Sequence, residues 1–177
     1  MGQYYKAIIL EDTPLDKEEI KAFLEAIFGS GMKMTEHSYL KNNFVNTFEY
    51  QLTKDGLFYK SRVVWSGDYA DNEKNCDYNL YQYASEFPYK SIAYNTKSAI
   101  EYPYIINHTK KQFTDKRIQK EFHPLPLLTA EGNGRGGGDY YGFNEELIGI
   151  WARDVISVEK EKPENYEELI CNFQEKH

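Results

Sequence analysis

Apolar residues recur along this chain with two different periods, and the changes of period mark its elements. YYKAIILE holds a short continuous apolar run and predicts a β-strand. Beyond it, Ile20, Phe23, Leu24, Ile27 and Phe28 stand at i, i+3, i+4, i+7 and i+8, the one-sided stripe of a helix over residues 18–28. Thr13-Pro14, with Asp16 and Glu19 at capping-box spacing, marks the start of that helix, and Gly29 and Gly31 mark its end.

Phe44, Phe48, Tyr50 and Leu52 then alternate with polar residues and lead through Asp55-Gly56 into GLFYKSRVVW. Residues 44–52 are therefore expected to pair with 57–65 as a hairpin. A second hairpin is expected between YPYII and QFTD, turning around residues 107–111. Between the hairpins, NLYQYASEF sets Leu80, Tyr81, Ala84 and Phe87 on one face of a short helix capped by Asp77 or Asn79. LIGIW and VISVE read as two more strands. PENYEELICNF, with Pro163 leading Tyr166, Leu169, Ile170 and Phe173 in helical register, predicts a helix over residues 164–173.

The pattern implies an α+β fold. It is expected to be a single domain over residues 1–177, mainly antiparallel sheet built from hairpins, with helices near both chain ends. The expected core comprises Ile20, Phe23, Leu24, Ile27, Val63, Trp65, Ile106, Trp151, Ile156, Leu169 and Phe173.

Composition narrows the partners. A net charge of −7 argues against a nucleic acid polymer or an anionic membrane as partner. The charge is uneven, because residues 90–120 hold seven basic side chains against Glu101 and Asp115. That segment is a candidate face for an anionic ligand, with a solvated surface as the plainer reading. Cys76 and Cys171 are far apart and form neither a disulfide framework nor a zinc pattern. The N-terminal sequence lacks the long apolar region of a signal peptide, and no window is apolar enough for a membrane span, so a cytoplasmic protein is expected.

The least ordinary stretch is EGNGRGGGDYYG, where six of the chain's twelve glycines fall within residues 132–142. Such a run allows positive φ angles and close backbone approach, and its N–H groups can form a nest for phosphate or carboxylate. Gly134, Gly136, Gly137 and Gly138 are the expected backbone donors, and Arg135 adds a planar fork for the same anion. Asp139 is placed to hold a hydroxyl or act in acid–base chemistry, and Tyr140 to stack on a base. Pro124 and Pro126 before the segment and Tyr140-Tyr141 within it suggest a held loop rather than a loose one. The Walker spacing is absent, and GNGRGGG lacks a strand–turn–helix context.

His123 precedes Pro124 and is the preferred general acid or base. His37 and His108 share no metal-ligand spacing with it, and no metal site or cofactor is assigned. Ser38 beside His37 lacks the nucleophile elbow of a hydrolase. SGDY and GGDY place Asp68 and Asp139 alike, so the two form an acid pair if they meet in one cleft. Arg153, in GIWARDVI, joins the site only if its turn lies beside the glycine segment. Two functions follow as expectations. The first is binding of an anionic small molecule, a nucleotide or other phosphorylated metabolite, in a pocket of residues 132–142, with or without catalysis. The alternative is an acidic protein-interaction module of the inhibitor or immunity type, whose tyrosines supply the contacts.

Overall fold

The YKAIIL run forms the strand it predicts, β1 (Tyr5–Leu10), in a computed structural model that describes residues 3–12, 17–134 and 136–176. All six residues of β1 are buried, because long antiparallel partners flank it and both faces of the sheet are covered. Those partners are β2 (Ile20–Glu25) and β3 (Ser61–Gly67). The whole sheet has nine strands, ordered β4-β2-β1-β3-β8-β5-β6-β9. The outer strands are β4 (Lys90–Ser91), β5 (Tyr104–Asn107), β6 (Gln112–Asp115), β8 (Val155–Glu159) and β9 (Glu167–Glu168). The ninth, β7 (Ala130–Glu131), lies parallel to the end of β3, while β8 pairs antiparallel with its beginning. The sheet therefore divides along β3, and the chain at Arg153 and Asp154 sits in the division, bonded to Val63.

Four helices complete an α+β architecture that is mostly sheet: α1 (Met34–His37), α2 (Asn43–Gln51), α3 (Leu80–Glu86) and α4 (Pro124–Leu128). One sheet face packs Tyr5, Ala7, Ile9, Val63 and Trp65 against α1, α2 and α4. The other packs Ile8, Leu10, Phe23 and Val64 against Leu80 and Ala84 of α3. A reciprocal cap starts α3, in which Asn79 accepts from the Gln82 N–H and Gln82 returns a bond to the Asn79 N–H. Among the described residues, no helix is long and apolar enough to cross a membrane.

Three expected elements take a different form. Residues 18–28 contain strand β2, not a helix; the residues expected to cap that helix, Thr13, Pro14 and Asp16, lie outside the described residues. A register shift opposite Ile9 and Leu10 puts Ile20 and Phe23 on one sheet face and Ala22 and Leu24 on the other. A bulged strand buried on both sides imitates a helical stripe. Ile27 falls after β2 and is 49% exposed, so it is not core.

Residues 44–51 lie in α2 and Leu52 caps it, so the segment is not half of a hairpin. The Asn42 side chain accepts from the Phe44 and Val45 N–H groups and so caps the first turn. The last expected helix is an extended segment instead. Leu169 bonds to Phe113 of β6, and Cys171 and Phe173 are buried while Ile170 is exposed, a period of two. The helices therefore lie within the chain rather than at its ends. LIGIW also differs: it follows a 3-10 turn and docks on α4 through the N–H groups of Gly149 and Trp151.

His37 belongs to this core. Its Nε2 accepts from the Trp65 indole N–H at 3.0 Å, and Phe44 packs edge-on at 4.9 Å between ring centroids. Burial lowers its pKa to about 4. The unfolded chain binds this proton near pH 6.5 and the folded chain only near 4. Stability is therefore full above about pH 6.5, falls through the window, and is level below 4. His37→Gln keeps an acceptor for Trp65 without titrating. Urea unfolding at pH 7 and pH 4 is expected to show the wild type losing about 3 kcal/mol more than the variant.

Candidate functional site

The glycine segment follows directly from β7, so its position is set by the pairing of Trp65 with Ala130 and Ser66 with Glu131. Gly134, Gly136 and Gly138 have positive φ, at 65°, 90° and 61°. The segment lies against the start of the chain: Tyr5 donates its hydroxyl to the Gly136 carbonyl at 2.6 Å, and the Asn133 N–H donates to the Gln3 side chain at 3.0 Å. A Cβ at Gly138 would stand 2.6 Å from the Tyr5 hydroxyl, and one at Gly137 would stand 2.7 Å from Ile148 Cδ1. Close packing accounts for these two glycines without a ligand.

The other expected residues are committed in the same way. Asp139 accepts from both the backbone N–H and the hydroxyl of Thr35, in the first turn of α1. Asp68 accepts from the Tyr4 N–H at 3.0 Å. Both carboxylates raise the pKa of the Tyr5 hydroxyl, after burial as the first cause, but each serves as an anchor for a different segment. Tyr140 is buried between Phe122 and Phe173, and its hydroxyl donates to the carbonyls of Phe143 and Gln174, so its ring has no open face for stacking. Arg135 lies outside the described residues.

A cavity of about 390 Å³ does flank the segment, between residues 70–73 and Gly132, Gly134 and Gly149. Arg153 lines it, which meets the condition the sequence set for that residue. Its five N–H donors are all engaged by carboxylates: Nε and Nη2 on Glu131, Nη1 and Nη2 on Glu73, and Nη1 on Glu18 at 3.3 Å. Arg62 forks onto Glu18 at 2.7 and 2.8 Å and extends the network. With Asp71, Glu73 and Glu131 around it, this cavity is acidic, and Arg153 reaches an anion only by releasing a carboxylate.

His123 stands apart from the glycine segment, with α4 between them. Its Nδ1 accepts from the Leu125 N–H at 3.1 Å and caps that helix. With Nδ1 accepting, the donor of the ring is Nε2, which lies 2.9 Å from Glu49 Oε2 but without the alignment of a hydrogen bond. Lys116 donates to the same carboxylate oxygen at 2.8 Å and to the Ala99 carbonyl at 2.7 Å. Burial alone would raise the pKa of Glu49, but the neighbouring His123 and Lys116 outweigh it and hold the carboxyl down to about 2.

These three side chains border a second cavity, of about 250 Å³, whose other walls include Leu40, Lys41, Asn46, Ser98, Ile100 and Arg117. Arg117 forks onto Asp115 at 2.7 and 2.9 Å. Sequence reasoning named His123 and the basic segment but missed Glu49. Its signal was present: once 43–51 is read as a helix, Glu49 falls in the apolar stripe of Val45, Phe48 and Leu52. His108 takes no part, since its ring bridges Tyr166 and Ser157 near β8. Compared with family models, curated proteins and solved structures, the chain matches none, so the functional argument rests on these geometries.

Two outcomes follow. Gly138→Ala, at positive φ and against Tyr5, is expected to cost about 2 kcal/mol, while Gly29→Ala, with open space around it, stays within about 0.5 kcal/mol by urea unfolding. Lys116→Met leaves the Glu49 carboxylate buried beside His123 alone and is expected to cost about 3–5 kcal/mol. Adding Glu49→Leu should recover most of that loss, a comparison that separates an unpaired charge from lost packing.

Proposed function

We propose that the chain is a small-molecule binding protein whose ligand is an anion, held in the cavity between α2 and the Lys116–Arg117 turn. One observation carries this reading: Lys41, the adjacent Lys116 and Arg117, and His123, from three separate segments, line one cavity over a buried carboxylate. Ion pairs this deeply buried are costly to desolvate and are a weak source of stability, so their presence at a cavity favours a role in the site. The basic segment noted in the sequence supplies Lys116 and Arg117.

The arrangement suits binding better than proton abstraction. His123 Nδ1 is occupied by a backbone N–H, which leaves a donor rather than a base facing the cavity. Glu49, held near 2, is a feeble proton acceptor. The glycine segment supports the reading less well, because the cavity beside it is walled by carboxylates.

A second reading keeps a protein partner. Its support is the aromatic cluster at the end of α3, where Tyr83 and the exposed Phe87 stack at 5.4 Å with Tyr78 and Tyr89 around them. Amide spectra recorded while organic acids and phosphates are titrated in should decide between the two. Anion binding predicts shifts at Lys41, Asn46, Ser98 and Arg117, and about tenfold weaker binding in Lys41→Glu. Shifts confined to residues 132–142 would return the site to the glycine segment, and no shift with any anion would leave the protein-partner reading.

A further inference from the structure

We infer that the ligand of the Glu49–Lys116–His123 cavity is a monoanionic carboxylate on a compact apolar body bearing one hydroxyl, not a nucleotide or sugar phosphate; the inference rests on the anion-binding reading above. Charge is the first argument. Lys116 is neutralised by Glu49 and Arg117 by Asp115, whereas Lys41 has no carboxylate partner among the described residues. One uncompensated positive charge matches one negative charge. A phosphate dianion brings a second, over a Glu49 that stays ionised.

Size and wall chemistry agree. A dry cavity of about 150 Å³ holds benzene, and pockets for larger ligands start near 300 Å³. At about 250 Å³, this one fits a ring with a short substituent. Leu40 and Ile100 form apolar walls, and Ile100 is 76% exposed, a residue that gains most from an apolar neighbour.

The floor specifies the remaining group. His123 is 1% exposed, and its Nε2 is a buried polar atom with no hydrogen-bond partner. A second carboxylate there would meet Glu49, whereas a hydroxyl accepts from His123 Nε2–H and donates to Glu49. The geometry thus sets the ligand's anion at the rim on Lys41 and its hydroxyl at the floor.

The test is calorimetric titration with five probes: 3-(4-hydroxyphenyl)propanoate, 3-phenylpropanoate, 4-ethylphenol, inorganic phosphate and adenosine monophosphate. The hydroxylated acid should bind tightest, and loss of either its carboxylate or its hydroxyl should weaken binding about tenfold. Lys41→Gln, an exposed substitution, should abolish the carboxylate advantage and leave the hydroxyl advantage in place. Tighter binding of phosphate or the nucleotide would overturn this ligand class while leaving anion binding intact. Equal binding of 4-ethylphenol and the hydroxylated acid, no effect of Lys41→Gln, or no binding by any probe would overturn it as well, and the first and last would remove the anion-binding reading too.

Discussion

The strand Tyr5–Leu10 is buried on both faces, and a strand in that position requires a covering layer on each side of its sheet. Much of the architecture answers that requirement. α1, α2 and α4 cover one face with Met34, Phe44, Phe48 and Leu125, and α3 covers the other with Leu80 and Ala84. Even Lys6, the second residue of this strand, is buried. Its ammonium lies 3.9 Å above the Tyr81 ring and 3.3 Å from Glu25, and it meets the Ser85 hydroxyl, so partners on β2 and α3 offset its desolvation.

The glycine segment answers the same constraint. Tyr5 opens the buried strand, and its hydroxyl needs an acceptor once water is excluded. The Gly136 carbonyl provides it, and a neighbour without a side chain at position 138 is what lets the backbone come so close. Asp139 then ties the segment to α1, which carries His37 into the core beside Trp65. A stretch that resembles an anion nest in sequence is thus part of the packing of β1.

Two networks of buried charge differ in what they leave available. Around Arg153, carboxylates engage all five donors, and the network bridges the division of the sheet along β3. Around Glu49, the carboxylate holds Lys116 and His123 in place, but the imidazole N–H stays without a partner and Lys41 stands at the rim. A saturated network stabilises a join, whereas an unsaturated one beside a cavity is an invitation to a ligand. The sheet itself ends in two-residue strands at Lys90–Ser91 and Glu167–Glu168, short and charged edges that discourage pairing with another chain.

The sequence alone determined what local chemistry dictates. The apolar run of β1, a polar cap at Asp77 or Asn79 for α3 and the strand signal of VISVE each lie within a few residues, and so does the freedom of Gly134, Gly136 and Gly138 to adopt positive φ. The α+β class followed from these, and the apolar pattern marked Phe23, Leu24, Trp65, Trp151 and Phe173 for burial even where it assigned them to a different element. Tertiary structure decided the rest. Ile20 and Phe23 share a face because of a bulge set by the pairing with β1, which no periodicity reports. Leu169, Cys171 and Phe173 extend along β6 because that strand supplies hydrogen-bond partners the isolated segment lacks. The grouping of Glu49, Lys116 and His123 spans residues 49 to 123 and exists only where α2, the end of β6 and the start of α4 meet. Whether a charged side chain is solvated or held in a site depends on what the fold packs against it, and that is a property of distances no stretch of sequence contains.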